Sequence, residues 1–234
     1  MKHRLLTLFA GMALAGLATV ATAADLYVEA PVMPGIVDVG SDWEGPYVGV
    51  FGGYGWGVAD HANLAVHPDC APNGCDVDIA GWLAGVTAGA NFAVGSNVVA
   101  GIAGDIAWSG VSGMDTFGVG IADSENVINW QGSLRGVLGF DGGAFMPYLT
   151  AGLAVANATH TLSNGAFDGT ADATHMGWTA GAGVAFAATE DVVIDLQYRY
   201  SDFGEQEYDR GIAPNNPIFG LTQHALTVGV NWQF

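Results

Sequence analysis

The chain alternates. At its C-terminus His224, Leu226, Val228, Val230, Trp232 and Phe234 occupy one parity, and Ala225, Thr227, Gly229, Asn231 and Gln233 the other. A period of two marks a strand, because successive side chains leave it on opposite faces. Read this way, the chain yields eight segments: 47–56, 81–92, 98–108, 129–140, 147–159, 177–187, 192–202 and 224–234. In the second, Trp82, Ala84, Val86, Ala88, Ala90 and Phe92 oppose Gly85, Thr87, Gly89 and Asn91. In the seventh, Val192, Ile194, Leu196, Tyr198 and Tyr200 oppose Asp195, Gln197, Arg199 and Ser201. One face is large and apolar; the other is small and polar, with no lysine.

The links between segments alternate too. "AVGSN", "DGGAFM" and "ATED" are short, whereas the other connections are long and rich in Asp, Asn, Gly and Pro. In an antiparallel meander this puts every short turn at one end with both termini, and every long loop at the other. Segments of about ten to thirteen residues have the length a tilted strand needs to cross a bilayer. A soluble barrel would turn its apolar face inward and show water a charged one. Here the small face, with few charges and no lysine, suits a narrow lumen, so the bulky parity is expected to face lipid. The predicted fold is all-β: an eight-stranded antiparallel transmembrane barrel, closed because hydrocarbon tolerates no unpaired backbone. Trp56, Trp82, Trp108, Trp130 and Trp178 fall at the long-loop ends, and Phe92, Phe140, Tyr148, Phe186, Trp232 and Phe234 at the short-turn ends. They form two expected aromatic girdles. The Gly-rich run 79–108 is a poor membrane helix, since glycine costs roughly 1 kcal/mol per residue against alanine.

Composition adds the compartment. Lys2 and Arg4 precede an apolar run to Val20 and then Ala21-Thr22-Ala23, the layout of a secretory leader over residues 1–23. Residues 24–46, with their prolines, read as a periplasmic lead-in, and 47–234 as the barrel domain. Beyond the leader the only cations are Arg135, Arg199 and Arg210, against 23 acidic residues in the chain. Such a charge excludes nucleic acid as a partner.

At this point the chain resembles the small outer-membrane β-barrel proteins of Gram-negative bacteria, the porin-like or opacity-type surface proteins related to the OmpA barrel. The likeness rests on "AADL", "WEGPYVGVFGGYGWG", "MPYLTAGLAVA", "QYRYSDFG" and "GVNWQF". It implies residence in the outer membrane among lipid and lipopolysaccharide. It also implies that Phe234, with Trp232 and Val230, serves as the signal read by the barrel-assembly machinery.

Four charges sit at lumen parity: Asp105, Arg135, Asp195 and Arg199. Buried charges must be paired, so a plug of salt bridges is expected, with a charged pore constriction as the alternative. Cys70 and Cys75 flank "APNG" in an exported chain and are expected to form a small disulfide ring. A zinc site with His61 and His67 matches no recognised spacing. Acids crowd the long loops: Asp60, Asp69, Asp76, Asp78, Asp115, Asp123, Glu125, Asp168, Asp172, Asp202, Glu205, Glu207 and Asp209. They would form a solvated rim able to share divalent cations with lipopolysaccharide. No catalytic, cofactor or metal motif is present. The expected role is non-enzymatic, envelope-structural and surface-displaying; the alternatives are a narrow porin and an adhesin or ligand-binding barrel.

Overall fold

The computed structural model describes residues 43–61, 76–117, 122–163, 168–209 and 218–234. The expected leader, most of the lead-in, and Cys70 and Cys75 lie outside the described residues. The strands are β1 (Gly45–His61), β2 (Val77–Ala93), β3 (Val98–Phe117), β4 (Ala122–Phe140), β5 (Phe145–Ser163), β6 (Asp168–Ala187), β7 (Val192–Glu207) and β8 (Ile218–Gln233). They form a closed barrel in sequence order. The seam is an antiparallel β1–β8 ladder from Tyr47↔Gln233 to His61↔Phe219.

Below the tryptophans, side chains point as the alternation requires. Leu134, Leu149 and Leu153 are 63%, 63% and 66% exposed on the outer wall, among a continuous cover of Val, Ile, Leu and Phe. An apolar surface of that extent is incompatible with water and fits acyl chains. On β1 the outward set is Val48, Val50, Tyr54 and Trp56, while Tyr47 and Phe51 turn inward. The inward rings need room, and glycines on the neighbouring strand give it. A Cβ on Gly89 would meet the Tyr47 ring at 2.5 Å, and one on Gly85 would meet Phe51 Cζ at 2.7 Å.

Two expectations are corrected. First, the strands are longer than the spanning segments, 16 to 20 residues each. The connections shrink to 62–76, 118–121, 164–167 and 208–217. Most acids assigned to loops therefore lie on strands: Asp60, Asp78, Asp115, Asp123, Glu125, Asp168, Asp172, Asp202, Glu205 and Glu207. At about 3.3 Å per residue and a tilt near 45°, such strands reach about 40 Å, well beyond an apolar band about 25 Å tall. Second, Tyr148 does not join the lower girdle. It is 8% exposed and points into the lumen.

Past the upper girdle the pattern inverts. Val77, Ile79, Val111, Ile128, Phe203, Phe219 and Leu221 are buried inside. Asp60, Asp78, Asn129, Asp172, Thr174 and Glu205 take the outer parity. With no acyl chains to face, the extension buries its apolar side chains in its own interior, as a soluble barrel does. Its weakest line lies between β6 and β7, whose ladder stops at Trp178↔Asp202. There β7 bulges between Asp202 and Glu205, and Gly204 adopts φ 70°, the left-handed geometry that glycine enters without strain.

Candidate functional site in the barrel lumen

The structure brings three of the four lumen charges into direct contact. Arg135 Nη2 donates to Asp105 Oδ2 at 2.7 Å, and Arg199 Nη1 donates to Asp105 Oδ1 and Oδ2 at 3.1 and 3.0 Å. Ser133 Oγ also donates to Asp105. One carboxylate thus holds two guanidiniums that would otherwise repel. All three side chains are removed from solvent. Strands β3, β4 and β7 carry them at inward parity, so the barrel itself supplies the geometry.

Asp195 departs from the expectation that each acid pairs with an arginine. It accepts from Tyr148 Oη at 2.8 Å. Tyr148 in turn accepts from Gln197 Nε2 at 2.8 Å, and Gln197 Oε1 accepts from Arg135 Nη1 at 2.9 Å. The two acids are therefore linked through Arg135, Gln197 and Tyr148, and each link uses the donor and acceptor its chemistry allows. The chain of bonds crosses the lumen and fastens β3, β4, β5 and β7.

Below the network lies a cavity of about 70 Å³, bordered by Tyr47, Asn91, Asp195, Asn231 and Gln233. It has room for a few waters and none for a solute. Its floor is apolar: Trp43, Val99, Met146, Ala185 and Val193 pack together with Tyr148. Trp43 is 2% exposed. Its Nε1 donates to the Gly143 carbonyl in the β4–β5 turn at 3.1 Å, while Glu44 Oε1 accepts from Ala93 N at 2.7 Å. The last residues before β1 thus close the short-turn mouth. Nothing in their own spacing announced this, although a tryptophan beside a strand start was the available signal.

Three histidines toward the loop side take different places. His224 lies on the outer wall, while His160 and His175 are 1% and 0% exposed inside the extension. His175 Nδ1 lies 3.2 Å from the Gly204 carbonyl and must donate to it, so Nε2 accepts from Tyr208 Oη at 2.7 Å. The neutral ring thereby stitches β6 to the chain after β7, where the ladder has ended. His175 lies loop-ward of Trp178, outside the membrane span. Burial pushes its pKa below the usual 6.5, with the Gly204 hydrogen bond opposing. Asp172 also acts on Tyr208 from this side, and the His160 ring lies 5.9 Å from the Tyr208 ring. The opened segment then binds the proton more readily than the closed one. Stability is full above the ordinary histidine value and is lost as pH falls through the lowered one. Amide exchange in 168–177 and 203–208, corrected for intrinsic rates, is expected to quicken between about pH 7.5 and about pH 5. His175→Phe should abolish that dependence; an unchanged profile in the variant would refute the stitch.

At the C-terminus Val230, Trp232 and Phe234 all face outward, 48%, 53% and 72% exposed. Phe234 N donates to the Pro46 carbonyl, tying the chain end to β1.

Comparison with known sequences agrees with this architecture. A family model described as "Outer membrane protein beta-barrel domain" matches residues 10–234. The 25 kDa outer-membrane immunogenic protein of Brucella abortus is 32% identical over 217 residues, covering 92% of this chain and 91% of that protein. The 22 kDa outer membrane protein of Rhizobium leguminosarum is 34% identical over 208 residues, covering 88% and 82%. Among solved structures, Neisserial surface protein A is 17% identical with a TM-score of 0.47, covering 81% of this chain and 97% of that one. The chain belongs to the outer membrane protein beta-barrel family and resides in the cell outer membrane as an integral eight-stranded barrel.

Proposed function

We propose that this barrel is a non-enzymatic, non-conducting envelope protein that carries a polar, acidic collar above the membrane surface. The observation that supports it is the triple closure of the lumen. Trp43 and its neighbours fill the short-turn mouth, the Asp105–Arg135–Arg199 network spans the middle, and Phe203, Phe219 and Tyr208 fill the extension. A solute would have to displace two packed apolar layers and a desolvated ion network. In planar bilayers the purified barrel is therefore expected to give no stable openings, and vesicles containing it should not swell in small sugars. Discrete, reproducible conductance levels would favour the porin reading instead.

Surface display is supported by the outward acids Asp60, Asp78, Asp172 and Glu205 and by relatives whose name calls them immunogenic. The collar would meet lipopolysaccharide through shared divalent cations. The outward Val230, Trp232 and Phe234 would present the assembly machinery with its signal.

A further inference from the structure

We propose that His224 is a binding site for the phosphate of a lipid headgroup in the outer leaflet. The argument begins with charge. Both described arginines, Arg135 and Arg199, are buried in the lumen, 6% and 5% exposed. The outer wall above the girdle carries Asp60, Asp78, Glu125, Asp172, Glu205 and Glu207. An anionic headgroup approaching this wall meets acids almost everywhere. Among the described residues whose side chains can carry positive charge, His224 alone stands on the lipid-facing parity, at the height of the upper girdle.

The ring is also held ready. His224 pairs in register with Trp56 on one side and Tyr200 on the other. Trp56 stacks on it at 5.8 Å with 15° between the planes, and the Tyr200 ring lies 5.0 Å away. Tyr198 Oη sits 2.7 Å from Nδ1. A neutral ring with its proton on Nε2 accepts the phenol's hydrogen at Nδ1, and the imidazolium donates Nδ1–H to the phenol oxygen; both states leave Nε2–H with no partner among the described residues. The third state, with the single proton on Nδ1, leaves Nε2 bare, and a phosphate oxygen selects against it. A polar N–H on the lipid parity needs an acceptor at headgroup depth, where aromatic residues already anchor the wall. A phosphate oxygen supplies it, and the bond is charge-assisted when the ring is protonated. Trp178, 5.4 Å from Tyr200, extends the aromatic row along which a glycolipid sugar can lie.

The test uses the full mature barrel in neutral detergent and counts bound lipid A by native mass spectrometry. Wild type should bind phosphorylated lipid A about tenfold more tightly than His224→Phe. Tyr198→Phe, which frees Nδ1, should lose part of the gain, and His224→Arg should restore it. Dephosphorylated lipid A should bind wild type no better than it binds His224→Phe. The heat-dependent electrophoretic shift reports that each variant is folded, and in folded wild type a through-space contact between ³¹P and the imidazole gives a second readout. Equal retention of phosphorylated lipid by wild type and a folded His224→Phe overturns the proposal. So does equal binding of dephosphorylated lipid, or displacement of the lipid by equimolar inorganic phosphate.

Discussion

Asp105→Asn should destabilise the barrel by about 3–5 kcal/mol, the usual cost of removing one partner from a buried ion pair. The reason is specific to this lumen. Among the described residues Asp105 is the one carboxylate that both Arg135 and Arg199 touch; the amide would remove the negative charge that holds the two guanidiniums together and turn its NH2 toward at least one of them. Asp195 cannot substitute, because it is committed to Tyr148. Equilibrium unfolding in urea from lipid vesicles measures the loss directly. Replacing the whole set, as Asp105→Leu with Arg135→Leu and Arg199→Met, should recover most of it, since apolar residues of similar volume often match a buried ionic group. A loss below about 1 kcal/mol for the single variant would show that water reaches the network and screens it.

The fold was legible because lipid and lumen impose a period of two wherever a strand crosses the membrane. Trp82 to Phe92 and Trp178 to Phe186 could be read as spans from their alternation and their terminal aromatics alone. The extension was hidden by the same logic. In "IFGLTQHALTV" the apolar residues shift from Phe219 and Leu221 to Leu226 and Val228, one parity to the other. A search for a bulky outward face ends the strand at that change of phase. The backbone continues through it as one strand, Ile218–Gln233. Tyr148 was recoverable, since it shares parity with Thr150 and Gly152 and opposes Leu149 and Leu153; its place near a strand end had suggested a girdle. The link from Asp195 to Arg135 was not recoverable. Partners across a lumen depend on the stagger of the strands, and local sequence does not state it.

The inverted parity makes a sharper demand, because two residues on outward faces should behave as though in different solvents. Leu134→Arg places a charge midway between Trp130 and Phe140 on the lipid wall and should cost about 2–4 kcal/mol. Thr174→Arg, also outward but loop-ward of Trp178, should change stability by less than about 0.5 kcal/mol. Inside the extension the order reverses. Phe219 is 1% exposed, with its ring 4.4 Å from His160 and 5.5 Å from Tyr208. Phe219→Ala should therefore cost about 3–5 kcal/mol, as cavities in well-packed cores do. Folding into vesicles, followed by tryptophan fluorescence, measures all three. If Thr174→Arg proved as costly as Leu134→Arg, acyl chains would have to cover the wall above the tryptophans. The acids at Asp60, Asp78 and Asp172 would then stand in hydrocarbon, which their charge forbids. A mild Thr174→Arg beside a severe Phe219→Ala is the outcome that one chain with a membrane wall below and a water-facing barrel above requires.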